Sequence, residues 1–230
     1  MSPIAPDPCP DAPGDPVEYV LAAGAFGVWL AQARGSLRGS GGAEVPCGDC
    51  TGCCTSGYSI QLRPTDTQTL AAVPAKWLVE SPGFAPGQKT LPPRPDGTCR
   101  MLEGGRCTIY AQRPQTCVDY DCRVFAAAGL DAGGPEKAVI NRRVRAWRFN
   151  YPGDDDRRAH EAVRAAAAFI RRVGDGSAGI RVPTAPMGIA VLALKVVEVF
   201  LDPSSPARSD AETARALVDA SRAFDAPPHP

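Results

Sequence analysis

Histidine is nearly missing from this chain. Only His160 and His229 occur among 230 residues, both far from the cysteines, which nearly excludes imidazole from any metal site. Net charge is missing too: 25 Lys and Arg balance 25 Asp and Glu. No overall field therefore draws the chain to nucleic acid or to an anionic membrane. Long apolar runs are short or broken. Residues 17–33 fall below a bilayer span, and 187–201 are interrupted by Lys195 and Glu198, so both stretches are expected as buried helices and no membrane association is expected. Residues 1–15 are rich in proline and acid, without the basic start and apolar centre of a secretory signal. There is no Ser-His-Asp order, no HExxH, no P-loop and no glycine-rich nucleotide fingerprint. There is no internal repeat. These absences lead us to expect a soluble, cytoplasmic protein whose thiols stay reduced, a setting where grouped cysteines signal metal more often than disulfides.

What the chain does have is sulfur. Eight of its nine cysteines lie between Cys47 and Cys122. They open with Cys47-Gly-Asp-Cys50-Thr-Gly-Cys53-Cys54 and continue with Cys99, Cys107, Cys117 and Cys122; Cys9 stands apart as a bystander thiol. Thiolates are soft ligands that select zinc, copper(I) or iron–sulfur clusters. A pair spaced Cys-x2-Cys can chelate one ion because the turn brings both sulfurs to one side, with amides pointing at them. That spacing occurs twice in succession here, and Gly48 and Gly52 allow the positive φ angles such a knuckle needs. The triple spacing also matches the start of a bacterial ferredoxin run, but the next cysteine follows at once and no Cys-Pro comes after, so zinc is favoured over an iron–sulfur cluster. Cys53 and Cys54 are neighbours, so their side chains are expected to diverge. That points to two nearby sites or to one polynuclear cluster approached from several sides; eight sulfurs would suffice for two tetrahedral sites, with metal–sulfur distances of about 2.3 Å. The negative charge of such sites calls for compensation, for which Arg100, Arg106, Arg113 and Arg123 lie near ligands in sequence. His160 reads as a solvated residue on a charged helix.

Prolines and glycines crowd the first hundred residues, and alanine dominates after Phe125, which favours helices there. A helix is expected from residue 15 or 16 to about 34, then a Gly-Ser connector over 35–42 and a short strand over 58–62. Thr65-Asp-Thr-Gln68 has the form of a capping box opening a helix through about residue 73. Residues 81–95 read as loop. Residues 99–102 and 107–110 read as a hairpin joined by Glu-Gly-Gly-Arg, and 113–122 lead into a helix with Pro114 in its first turn. Further helices are expected over 135–150, 154–173, 187–201 and 210–224, the second capped by Asp154, with a fraying tail over 226–230. The fold class is α+β: a small, loop-rich cysteine-cluster region with short strands, packed among helices at both ends. Its parts are a disordered tail (1–15), a cysteine-cluster domain with an N-terminal helix (16–150) and a helical extension (151–225).

The cysteine pattern resembles the CxxCxxCC zinc- or iron-chelating domain of YkgJ-type cysteine-cluster proteins. The matching pieces are Cys47-x2-Cys50-x2-Cys53-Cys54, then Asp66, then Cys99-x-Met-Leu, then Cys107-Thr-Ile-Tyr110-x2-Arg113-Pro114-x2-Cys117, over roughly residues 45–130. Val118 stands where the family often has arginine, and Cys122 fits only a subset pattern. The resemblance implies a metal-chelating domain, and some relatives look like flagellin lysine methylases, which brings in a methyl-transfer association by analogy.

Three functions compete. The first is a zinc-binding (or iron-binding) protein using Cys47, Cys50, Cys53, Cys54, Cys99, Cys107, Cys117 and Cys122, with Tyr110 and Arg113 supporting the ligands. The second is an iron–sulfur enzyme or accessory domain acting on a protein side chain, with a protein partner or substrate and a nearby polar set of Asp66, Tyr110, Arg113, Asp119 and Asp121. The third is nucleic-acid binding through residues 142–172, where arginines sit close to Trp147, Phe149 and Tyr151. In that stretch the arginines more simply solvate one helix face while the aromatic side chains pack, so nucleic acid is not the expected partner.

Overall fold

The computed structural model describes residues 19–43, 45, 47–48, 50–81, 83–174, 176, 179–202 and 207–227. In chain order the elements are β1 (Leu21–Ala25), α1 (Phe26–Leu37), β2 (Ile60–Leu62), α2 (Thr67–Ala72), β3 (Val79–Glu80), β4 (Lys89–Leu91), β5 (Leu102–Glu103) and β6 (Arg106–Cys107). There follow α3 (Gln115–Asp119), α4 (Arg123–Ala128), α5 (Ala138–Ala146), β7 (Trp147–Asn150), α6 (Asp154–Arg172), α7 (Pro186–Lys195), α8 (Val197–Leu201) and α9 (Asp210–Asp225). This is the expected α+β mixture. The expected tail over 1–15 and Cys9 lie outside the described residues, as do the last three positions of the C-terminal tail. Among the described residues no helix is long and apolar enough to cross a membrane.

The described chain forms two compact units, one of residues 41–121 and 134–143, the other of 19–40, 122–133 and 144–227. The first is built on very short strands. Antiparallel β2 and β3 flank β4, pairing Ile60 with Leu91 and Val79 with Thr90. Strands this short need a packed face to persist. Leu62, Val73, Leu91, Met101 and Ile109 supply it, and Cys99 and Cys107 pack against them. The β5–β6 hairpin turns on Gly104-Gly105, both at positive φ (55° and 75°). A two-residue hairpin loop requires that conformation, and glycine adopts it without a Cβ penalty.

The second unit is helical around one parallel strand pair. β1 pairs with β7, with a register shift between Ala22 and Gly24. The helix expected to begin at residue 15 or 16 therefore begins only at Phe26, because Gly24 at φ 94° ends any helical run and β7 offers its backbone a ladder instead. For the same reason the helix expected over 135–150 gives way to a strand at Trp147. The expected helix 187–201 pauses at Val196, where α7 ends and α8 begins. α6 follows its expected bounds, with Gly153 rather than Asp154 as N-cap. Three acidic residues in its first turn and two arginines in its last complement the helix dipole. Asp156 also caps α1 across space, its Oδ1 accepting from the amide of Gly27 at 2.7 Å. The capping box expected at Thr65 is not formed: α2 has Asp66 as N-cap, with no side-chain cap bond. A capping box instead opens α9, where Ser209 and Glu212 satisfy each other's backbone amides.

His160 is not the surface residue its charged helix suggests. It is 7% exposed, stacks on Phe26 at 4.3 Å between ring centroids and meets the Tyr151 hydroxyl through Nδ1 at 2.7 Å. Burial, and then the charge of Arg164, pulls its pKa down to about 4, against the opposing pull of the Ala126 and Ala127 carbonyls. Its position lies on the apolar stripe of α6, where the helical period outweighs residue polarity.

Candidate metal centre

The first unit holds Cys47, Cys50, Cys53, Cys54, Cys99, Cys107 and Cys117. The knuckle closes as its spacing demands. The Cys50 amide donates to the Cys47 carbonyl at 3.0 Å, and the Gly52 amide points at the Cys50 sulfur at 3.4 Å. Gly48 takes the expected positive φ, 56°. Gly52 does not; it is helical. A Cβ there would meet the Cys50 sulfur and the Ile140 Cα at 3.4 Å each, so the position is close-packed.

Residues Cys53–Thr55 then make a single 3-10 turn, closed by the Ser56 hydroxyl donating to the Gly52 carbonyl at 2.5 Å. In that turn the Cys53 and Cys54 sulfurs lie 3.9 Å apart. The expected divergence of these neighbours is therefore corrected: the tight turn brings both sulfurs to one side. Their separation matches the sulfur–sulfur edge of about 3.8 Å that a tetrahedral site with 2.3 Å bonds requires. The Cys99 amide donates to the Cys54 carbonyl at 2.6 Å, tying the hairpin to the knuckle.

The sulfurs are close enough to act on one another. Hydrogen bonding to Cys54, then burial, holds the Cys53 thiol far above its ordinary pKa. Burial pushes Cys117 up to about 12, reinforced by Cys53, Cys99 and Cys107. Cys99 is raised by burial, with further contributions from Cys107 and Cys53, and Cys47 by burial and then Cys53. Among the described residues, no group of three His, Cys, Asp or Glu side chains forms a ready-made metal site. The arrangement in the first unit is a field of mutually coupled thiols, and no disulfide joins any of the eight described cysteines.

Positive charge reaches this field from residues that sequence proximity partly missed. Arg143 and Arg113 both favour the Cys47 thiolate, and the Arg143 guanidinium donates to the Cys47 carbonyl at 3.3 Å. Arg94 favours the Cys99 thiolate and donates to the carbonyls of Leu102 and Arg100 at 2.9 and 3.0 Å. Neither was singled out: Arg143 stands 21 residues beyond Cys122 and Arg94 five before Cys99. Of the four arginines that were, Arg113 also favours the Cys117 thiolate and lies 4.1 Å over the exposed Tyr110 ring. Arg100 bonds the Pro92 carbonyl, and Arg106 is exposed on β6. Arg123 belongs to the second unit, where it bonds the Ala23 carbonyl. Cys122 is in that unit as well, 8% exposed, with its sulfur accepting from the Trp147 indole at 3.2 Å. Of the remaining polar set, Asp121 is buried and raises Cys47 slightly, while Asp66 and Asp119 bond to the segment around Cys117.

By fold and site the molecule is an α+β protein with a cysteine-cluster unit. Residues 46–133 match the CxxCxxCC family model, described as "Putative zinc- or iron-chelating domain". That match, over about two fifths of the chain, supports metal binding. Neither the curated proteins nor the solved structures contain a match to this chain.

Proposed function

We propose that this protein binds zinc through the thiolates of Cys47, Cys50, Cys53, Cys54, Cys99, Cys107 and Cys117. The observation that carries the reading is the Cys53 and Cys54 pair at the spacing of a tetrahedral edge, with Cys47, Cys99, Cys107 and Cys117 within electrostatic reach of this pair or of one another. The donor set is all sulfur, which suits zinc or iron–sulfur chemistry. The charge of Arg94, Arg113 and Arg143 would offset part of the negative charge of the thiolates. Cys122, expected as the eighth donor, lies in the second unit with its sulfur accepting from the Trp147 indole, a bond that a metal-bound thiolate can also accept. Bound metal would supply folding free energy to a region with a small core. The incomplete ferredoxin run favours zinc, and a reduced cytoplasmic setting would keep the thiols available.

The alternative is an iron–sulfur protein associated with methyl transfer to a protein side chain. Anaerobic purification with elemental analysis and an absorption spectrum separates the two. Zinc predicts a colourless protein with stoichiometric zinc. A brown protein with broad visible absorption, carrying iron and acid-labile sulfide, overturns the zinc reading.

A further inference from the structure

We infer that Asp66 is the positioning residue that presents Cys117 to the metal centre. The inference rests on the metal-binding reading above and adds to it the means by which one ligand is aimed. Cys117 lies mid-way along α3, a helix of barely more than one turn. A helix so short does not hold itself together, so its orientation must be imposed from outside. The segment that imposes it is the turn between β2 and α2. One carboxylate oxygen of Asp66 accepts from the Arg63 amide at 2.7 Å, which closes that turn on itself. The other accepts from the Gln115 amide at 3.0 Å, the first free donor of α3.

Two further bonds fix the same helix to the same frame. The Thr116 hydroxyl donates to the Gln61 carbonyl on β2 at 2.8 Å. At the far end, the Arg63 guanidinium donates to Asp119 at 3.4 Å, and Asp119 also accepts from the Gln115 side chain at 2.7 Å. The Thr69 hydroxyl on α2 bonds the Gln112 carbonyl, holding the approach to Pro114. Cys117 therefore sits between a clamp on the start of its helix and one on its end. Asp66 is the group common to both: it binds α3 directly and shapes the turn that carries Arg63. Its two oxygens are occupied by backbone amides, so it acts through Cys117 and not as a donor to the ion. An asparagine retains one acceptor oxygen and can keep only one of the two bonds; alanine keeps neither.

The test uses the full chain loaded with cobalt(II), whose sulfur-to-metal charge-transfer absorption reports how many thiolates bind. Wild type, Cys117→Ser, Asp66→Ala and Asp66→Asn are compared, with far-UV circular dichroism to establish folding. Asp66→Ala is expected to lose the same fraction of charge-transfer intensity as Cys117→Ser, and to release metal to a competing chelator at least tenfold more readily than wild type. Asp66→Asn is expected to fall between, which supplies the folded variant should alanine prevent folding. A wild-type spectrum and chelator sensitivity in both folded Asp66 variants would overturn the inference. So would loss of bound cobalt with unchanged charge-transfer intensity per ion, which would make Asp66 an oxygen ligand. Wild-type protein that takes up no cobalt or zinc would instead overturn the metal-binding reading beneath it.

Discussion

At the scale of single residues, identity set the chemistry and position set the role. The cysteine spacing announced a soft-metal site, and Gly48 has the positive φ that spacing demands. His160 shows the limit of such reading: its neighbours in sequence are charged, yet the fold encloses it among Phe26, Phe149 and Tyr151. An imidazole with a folded pKa near 4 and an ordinary value near 6.5 stabilises the fold fully above pH 6.5. As pH falls from there, the unfolded chain takes up the proton first, so stability declines until about pH 4 and then levels off. The full difference amounts to about 3 kcal/mol. Urea unfolding midpoints between pH 7 and 4.5 should therefore fall more steeply for wild type than for His160→Phe; parallel slopes would remove His160 as a cause.

At the scale of elements, tertiary partners overrode local preference in named places. Residues 21–25 are alanine-rich and helix-prone, but Gly24 and the β7 ladder make them a strand. The Gly-Ser stretch expected as a loose connector is fastened at its end, where the Ala43 amide donates to the Val118 carbonyl at 3.0 Å. A Cβ on Gly42 would stand 2.2 Å from the Val118 Cγ1 and 3.2 Å from its carbonyl oxygen. Gly42→Ala should thus cost about 1–3 kcal/mol by overpacking, read as a lower thermal midpoint. Val118→Ala in the same chain should recover a good part of that loss, because the two sites are in contact and couple. Additive losses in the double variant would show that Val118 is not the obstacle.

At the scale of the whole molecule, two units with different sources of stability share one chain. The helical unit buries Phe26, Trp29, Phe125, Val163, Ile170 and Leu194 almost completely, whereas the cysteine unit has strands of two or three residues around a small apolar cluster. Removing metal with a chelator should speed amide hydrogen exchange across 41–121 and 134–143 while the core of the helical unit stays protected. Equal acceleration in both units, or none, would contradict a metal that holds only the first. The sequence by itself determined the α+β class, the Gly104-Gly105 turn of the hairpin (though its strands are shorter and closer to the turn than expected, at 102–103 and 106–107), and the extent of α6 and α9, because these depend on local period and turn conformation. Tertiary structure alone decided that Arg143 and Arg94 serve the thiols, that Asp66 and Arg63 clamp α3, and that Cys122 joins Trp147 in the second unit. Those pairings join residues 8 to 96 positions apart, and only the folded backbone sets which of many possible partners lies within reach of a hydrogen bond.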